Sequence, residues 1–435
     1  MQDALEFVRN KLGEALDAGQ LDAFLQIEGA FYSRIVKRSE QIEHYETCYA
    51  AIDQMVARFG EVIAGALPPR QEPIGERICY LLPSLDNDLA HVEFLFNILK
   101  SHPAGGTPEI FVAGYGATTG AVGSRLLVRL HQEGRIRLVP IAYSARGMAD
   151  FARFFLRERF SLLVVFSIPT MLSAWVRALG ADRVAWATTK FELSSFAALR
   201  HRLSFSGPRD ETLEIRGKTW RRSVAALCPA DVPSFQAADR PRTRLLSVNR
   251  EEKMLTPQFL GAIADVLAAE PATRFSWTGR ERNPQIANFF ARRGLGERAE
   301  FIGWVDPARV IDDHNIFVDT YGLSGMVATY AFCAGMPTQF FRASKSWLEI
   351  HESRIAAAAH PQPDMLASTL AGSPAAYSAA VLDLVRSAQR YAERSAWQTR
   401  IGADYLLDER AMYDGHVAAI RGIVADARSG LEAAE

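Results

Sequence analysis

Apolar residues return along the chain in two different rhythms. Over residues 1–66 they recur at helical spacing, as Leu5, Val8 and Leu12, then Leu21, Phe24, Leu25, Ile27 and Phe31, then Cys48, Ile52, Met55, Val56 and Phe59. One face of a helix produces that period. Polar residues fill the gaps, so these helices are amphipathic and need a partner surface. From residue 77 the rhythm changes to short apolar runs, each followed by a helical pattern. RICYLLPS at 77–84, EIFVAGYG at 109–116, IRLVPIA at 136–142, LLVVFSIP at 162–169 and RVAWATT at 183–189 read as buried strands. Their alternation with helices predicts one doubly wound domain with a parallel sheet. The same alternation restarts with RLLSVN at 244–249 and continues through RFSWTGR at 274–280, AEFIGWV at 299–305 and NIFVDTYG at 315–322.

Proline-rich stretches punctuate these blocks. LPPRQEPIGE at 67–76 separates the helical start from the first strand, and CPADVPSFQAADRPRT at 228–243 has the aperiodic composition of a linker. The expected organisation is a helical region at 1–70, a Rossmann-like domain at 77–227, a linker at 228–243, a second Rossmann-like domain at 244–390, and helices at 391–435. Terminal helices of this kind commonly pack back across both lobes. RLSFSG at 202–207 and TLEIRG at 212–217 alternate apolar and polar residues and are expected to pair as a hairpin. No repeat of about 20–50 residues is visible, which argues against a solenoid.

Composition narrows the classes. The 435 residues are 49% hydrophobic and 23% charged, an ordinary globular balance with room for two domains. A formal charge of −1 supplies no global field for nucleic acid or an anionic membrane, so neither is an expected partner. Cys48, Cys79, Cys228 and Cys333 contain no CxxC pair, and a reduced, cytoplasmic protein is the simplest reading. The opening MQDALEFVRNKLGEAL lacks the apolar core of a secretory signal, and no run approaches about 18 uninterrupted apolar residues, so no integral membrane segment is expected.

In a parallel sheet, ligands gather beyond the carboxyl ends of the strands. Two segments of the second domain occupy such places. Asn249-Arg250-Glu251-Glu252-Lys253 follows its first strand, where Arg250 and Lys253 can meet a diphosphate as charged donors. The bland reading is a pair of solvated cations matched with Glu251 and Glu252. Gly322-Leu323-Ser324-Gly325 precedes a helix running to Ala334, whose free N–H groups suit an anion; the bland reading is a small-residue turn. Neither GxGxxG after the first strand nor GxxxxGK[ST] is present, which argues against a dinucleotide-binding domain and a P-loop NTPase.

In the first domain, Asp86, Asp88 and His91 follow the first strand and are, by position, candidates for proton-transfer or orienting roles at a ligand; the alternative is that the aspartates cap a helix and His91 faces solvent. The Gly114–Gly123 loop either approaches a ligand or permits a tight turn, and Thr188, Thr189 and Lys190 follow the fifth strand. Asp86-Asn87-Asp88 is a lone DxD, and His201 and His314 have no metal-ligand partner at i+3 or i+4, so no metal is expected. Trp277 and Trp304 are either core or cleft walls.

SVNREEKMLTPQFL, with RFSWTGRERNPQIANFFARRGL, RAEFIGWVDP and DHNIFVDTYGLSGMVATYAFCAGMP at matching spacing, resembles glycosyltransferase family 41, the O-GlcNAc transferases and bacterial adhesin N-glycosyltransferases. The resemblance covers residues 244–341 and extends to the rest only in architecture. It implies a GT-B fold, an α/β arrangement of two Rossmann-like doubly wound domains facing a cleft, with the nucleotide-sugar held mainly by the second. It further implies that Lys253 contacts the diphosphate, that the loop Leu323–Val327 gives donors to the phosphates, and that residues 301–305 offer backbone groups to the base. The donor-side candidates are thus Asn249, Arg250, Lys253, Thr278, Gly279, Gly303, Trp304, Val305, Tyr321, Gly322, Ser324, Gly325 and Met326. One departure stands out: where the family carries a carboxylate for the ribose, this chain has Thr329 and Tyr330, with no acid between Asp319 and Glu349.

The expected activity is metal-independent transfer of a sugar from a nucleotide diphosphate, UDP by resemblance, to a protein or glycan acceptor, with no cofactor. The N-terminal helices would cradle an acceptor protein or join two copies as a homo-oligomer. Two alternatives remain open: a retaining transferase of family 4 type building a polysaccharide or lipid-linked glycan, and a catalytically silent GT-B subunit that binds a partner or a glycan.

Overall fold

The computed structural model describes residues 2–38, 42–88, 90–116, 122–166, 169, 171–188, 196, 198–204, 212–215, 218–222, 235, 242–321, 326–342 and 362–432. The chain divides into two compact units, 1–225 with 409–435 and 226–408.

The first unit begins with three helices, α1 (Gln2–Asp17), α2 (Leu21–Arg34) and α3 (Ile42–Ala64), with a single 3-10 turn at Val36–Arg38 between the last two. Leu5, Leu12, Phe24, Phe31, Cys48, Ile52 and Phe59 are all buried, as the helical period requires. These helices rest on the Rossmann-like domain behind them. Gly60 of α3 meets the backbone of Ala174 so closely that a Cβ there would lie 2.6 Å from the Ala174 Cα. Only glycine permits such a helix approach.

The sheet of this unit has the order β3-β2-β1-β4-β5-β6-β8-β7, with β1 Arg77–Leu82, β2 Glu109–Gly116, β3 Arg137–Ala142, β4 Leu162–Phe166, β5 Val184–Thr188, β6 His201–Ser204, β7 Thr212–Ile215 and β8 Lys218–Arg222. The first six are parallel, and β4 and β5 are buried throughout, as strands covered on both faces must be. Helices α4 (Ala90–Leu99), α5 (Arg125–Gln132), α6 (Ala145–Arg157) and α7 (Leu172–Leu179) connect β1 to β5. The expected hairpin of 202–207 with 212–217 is not formed. β6 pairs in parallel with β5 and β8, and the antiparallel partner of β7 is β8. Two residues separate β7 from β8, a hairpin-length connection, whereas β6 lies seven residues before β7 and completes the parallel sheet instead.

The second unit repeats the strand order. β9 (Arg244–Ser247), β10 (Arg274–Trp277), β11 (Ala299–Phe301), β12 (Ile316–Val318), β13 (Thr338–Phe341) and β14 (Leu370–Ala371) form an all-parallel sheet ordered β11-β10-β9-β12-β13-β14. α8 (Glu251–Met254), α9 (Pro257–Ala269), α10 (Pro284–Ala291), α11 (Pro307–Asp312), α12 (Met326–Cys333), α13 (Pro363–Thr369), α14 (Pro374–Arg386) and α15 (Ala388–Ile401) complete it. Its core gathers Leu245, Phe259, Ile263, Phe275, Trp277, Phe290, Ile316, Phe341 and Tyr377, so Trp277 is core and not a wall. In both sheets the order reverses beside the first strand, at β1/β4 and at β9/β12. That is where doubly wound folds open a crevice for ligands.

The last helix, α16 (Glu409–Glu432), belongs to the first unit. His416 Nε2 lies 2.6 Å from the Tyr80 hydroxyl and His102 Nδ1 lies 2.6 Å from the Tyr413 hydroxyl, both pairs buried. No helix among the described residues is long and apolar enough to cross a membrane.

Candidate functional site

β9 ends at Ser247, and the chain turns at once into the segment singled out in the sequence. The Asn249 side-chain amide donates to Ser247 Oγ at 3.4 Å, and Thr278 Oγ1 donates to the Asn249 carbonyl at 3.3 Å. The Thr278 amide reaches back to the Ser247 carbonyl at 3.3 Å. The turns after β9 and β10 are therefore stitched into one rigid edge. Glu251 reinforces it, accepting from the Arg280 amide at 3.4 Å. Gly279 lies close to that carboxylate: a Cβ there would come within 2.8 Å of it.

Arg250 occupies the N-cap of α8, and Lys253 lies inside it with its amide bonded to the Arg250 carbonyl at 3.0 Å. Lys253 is only 7% exposed. Lys253 is therefore not a solvated cation; a lysine is almost never fully buried unless its charge is paired. Earlier in the same segment, Asn249 Oδ1 is buried without a hydrogen-bond partner. Across the switch point, Thr320 Oγ1 is likewise buried and unpartnered. Buried polar atoms are normally satisfied, so these two atoms, at the carboxyl ends of β9 and β12, lack a protein partner that such atoms usually have.

Asp319, at the end of β12, escaped the sequence reading. It is fully buried, its amide donates to the Gln339 carbonyl at 3.0 Å, and its carbonyl accepts from the Tyr377 hydroxyl at 2.8 Å. Burial, with the Asp319 carboxylate adding to it, pushes the Tyr377 phenol well above its usual range. The available signal was an acid closing an apolar strand, NIFVD. Tyr321 follows, its ring edge-on to Phe341. Gly322, Leu323, Ser324 and Gly325 lie outside the described residues, and Met326 begins α12. In that helix Thr329 Oγ1 and the Tyr330 hydroxyl are buried and unpartnered. Past β11, Gly303 adopts a left-handed φ of 77°, Trp304 is 72% exposed, and Val305 is half-buried.

The first unit's candidates cluster past β1. Ser84 Oγ and Asp86 close a small turn, with the Asp86 amide donating to Ser84 Oγ at 3.0 Å and Ser84 Oγ to Asp86 Oδ2 at 3.1 Å. Asp88 Oδ1 accepts from Ser124 Oγ at 2.6 Å and from the Leu126 amide at 3.2 Å, holding the amino end of α5. Among the glycines of the 114–123 loop, a Cβ on Gly114 would meet Leu85 at 2.7 Å and one on Gly123 would strike the Asp86 carbonyl, so close approach explains both. His91 Nε2 is buried and unpartnered. Burial drives its pKa down to about 4, opposed by a hydrogen bond with the Ser84 backbone and aided by the charge of Lys37. The ring is neutral at physiological pH.

Thr188 is buried at the end of β5, and Thr189 and Lys190 lie outside the described residues. His314 Nδ1 contacts the Val310 carbonyl at 2.8 Å in a packing role. Among the described residues no group of three His, Cys, Asp or Glu is placed to hold a metal ion.

No protein-family model matches the chain, and no curated protein matches it in sequence. Its fold is nonetheless that of GT-B glycosyltransferases, two Rossmann-like domains in one chain. An O-GlcNAc transferase of Thermobaculum terrenum superimposes over 98% of this chain and 85% of its own with a TM-score of 0.64 at 16% identity. A glycosyltransferase of Rickettsia africae aligns over 80% of this chain and 99% of its own, TM-score 0.51, 10% identical. A lipopolysaccharide outer-core galactosyltransferase gives 0.50 over 80% and 99%, at 12% identity.

Proposed function

We propose that the chain is a glycosyltransferase of family 41 type, moving a sugar from a nucleotide diphosphate, UDP in this reading, to a protein or glycan acceptor. The observation that carries it is the buried Lys253, in the same segment past β9 as the unmet Asn249 oxygen. When a glycosidic bond to a diphosphate breaks, negative charge grows on the leaving phosphate. A preorganised, poorly solvated ammonium stabilises that charge more than water does. Arg250 adds a second cation at the start of α8. Thr278, Gly279, Tyr321 and residues 303–305 complete the donor side, and no metal is given a part. The absent ribose carboxylate leaves the hydroxyls of Thr329 and Tyr330 to meet the sugar hydroxyls.

On the acceptor side His91 is the base, since its neutral ring has an unoccupied nitrogen. Asp88 positions the loop through α5, and Asp86 orients the acceptor. A thermal-shift panel of nucleotide-sugars tests the assignment. A true donor at about a hundredfold excess over its dissociation constant raises stability by about 2.7 kcal/mol. A flat response to every UDP-, GDP- and ADP-sugar would remove the proposal and leave the silent-subunit reading.

A further inference from the structure

Phe24, Glu28 and Phe31 share one face of α2 at i, i+4, i+7 spacing, and all three are buried. The acid is 1% exposed. Its carboxyl meets the turn after β3, where the Tyr143 hydroxyl donates to Glu28 Oε2 at 2.5 Å. Among the described residues that phenol is the carboxyl's one hydrogen-bond partner, and no cation pairs with it. Tyr115, near the end of β2, lies within electrostatic reach of the same carboxyl. Its ring stands nearly perpendicular to that of Tyr143, centroids 4.9 Å apart, and its hydroxyl accepts from the Trp175 indole at 3.1 Å. A second contact joins α2 to the same turn: the Ala145 amide, at the start of α6, donates to Asp22 Oδ1 at 2.8 Å.

The charges on the elements packed against α2 are matched elsewhere. On α1, Arg9 pairs with Glu6 and Lys11 with Glu14, at 3.9 and 2.6 Å, and Arg58 of α3 pairs with Asp17 at 2.7 Å. On α6, Arg146 and Arg153 both pair with Asp150, at 3.7 and 2.6 Å. In the 3-10 turn, Lys37 lies over the Tyr32 ring, 4.9 Å from its centroid, and Arg38 is exposed. A bare carboxylate at Glu28 would therefore have one neutral donor and almost no water, a costly arrangement. Burial raises its carboxyl to about 7, and the Tyr143 hydrogen bond opposes this only in part. Burial above all pushes both phenols far up as well, so of the three groups only the carboxyl titrates near neutrality. A carboxyl raised by closure favours the closed form fully below its ordinary value of 4.5. The open form then gains about tenfold per pH unit until about pH 7.

We propose that Glu28 and Tyr143 form a proton-operated latch, which seats α2 on the turn after β3 while the carboxyl is protonated and lets the helix lift as the proton leaves. The latch is independent of the glycosyl-transfer reading. Hydrogen-exchange mass spectrometry of the full chain tests it, with the intrinsic pH dependence of exchange divided out. Opening of residues 21–34 should rise by about thirtyfold between about pH 5 and about pH 7, while residues 162–166 of β4 show no such rise. Glu28→Gln keeps an acceptor for the phenol but cannot ionise, and it should abolish the rise. If that variant does not fold, a carbon-13 titration of the Glu28 carboxyl in the wild-type chain decides the matter, with a midpoint near 7 expected. A midpoint near the ordinary 4.5 overturns the proposal, as does a pH-independent α2 or an equal rise in the glutamine variant. An equal rise in β4 also overturns it, since the whole unit and not the latch would then be loosening.

Discussion

Thr278 Oγ1 donates to the backbone carbonyl of Asn249 at 3.3 Å, so the turn after β10 fixes the turn that carries Lys253. The pair is buried and 29 residues apart in sequence. Thr278→Val removes the donor and leaves a buried carbonyl short of a partner. That costs on the order of 1–3 kcal/mol locally. UDP affinity should fall about tenfold or more in calorimetry while the fold persists. Unchanged affinity would show that the stitch does not position the site.

His91 should act as a neutral base. Because its folded pKa is about 4, the ring stays unprotonated from about pH 5 upward, and the acid limb of the transfer rate should lie near 4 and not near the ordinary 6.5. His91→Gln should lower the rate by about 10²–10⁴. A pH–rate profile with an acid limb at the ordinary histidine value would contradict the assignment.

Gly60→Ala places a methyl against the Ala174 backbone. Backbone cannot yield as a flexible side chain does, so a loss of about 1–3 kcal/mol or more is expected, readable as a lowered thermal midpoint. If the midpoint is unchanged, α3 is not seated on α7 as described.

Stability should depend on pH with two opposed signs. Burial lowers His416 to about 3 and, more than the nearby Arg135 charge does, His102 to about 4. The unfolded chain then takes up protons first. The stability these rings contribute is full above 6.5 and is lost as pH falls towards the folded values. Glu28 runs the other way: raised to about 7, it contributes fully below 4.5 and loses that contribution as pH rises through 7. Urea midpoints should therefore drop below about pH 6 in a manner that His416→Phe flattens, and Glu28→Gln should flatten the decline on the alkaline side. Parallel curves for wild type and both variants would refute the assignment.

The strands were legible because each is an apolar run bounded by a change of period, as RICYLL and LLVVF show. Strand partners were less so. The alternation in RLSFSG and TLEIRG marks half-buried strands without naming a neighbour, and β7 took the nearer β8. Lys253 was legible as a cation past a strand, but its burial was not, since no local pattern marks which of two cations in a short helix is covered. The Glu28–Tyr143 pair joins residues 115 apart, and no local pattern announces a contact of that range. Asp319 was passed over for a similar reason: its neighbours Gln339 and Tyr377 come from β13 and α14.

The central claim is that Lys253 grips a nucleotide diphosphate, and calorimetric titration of UDP into wild type and Lys253→Ala tests it most directly. Wild type should bind UDP with a dissociation constant in the micromolar range, and the variant should lose about a hundredfold or more while keeping its fold and melting point. Equal binding by the two proteins, or no binding by either, would contradict it.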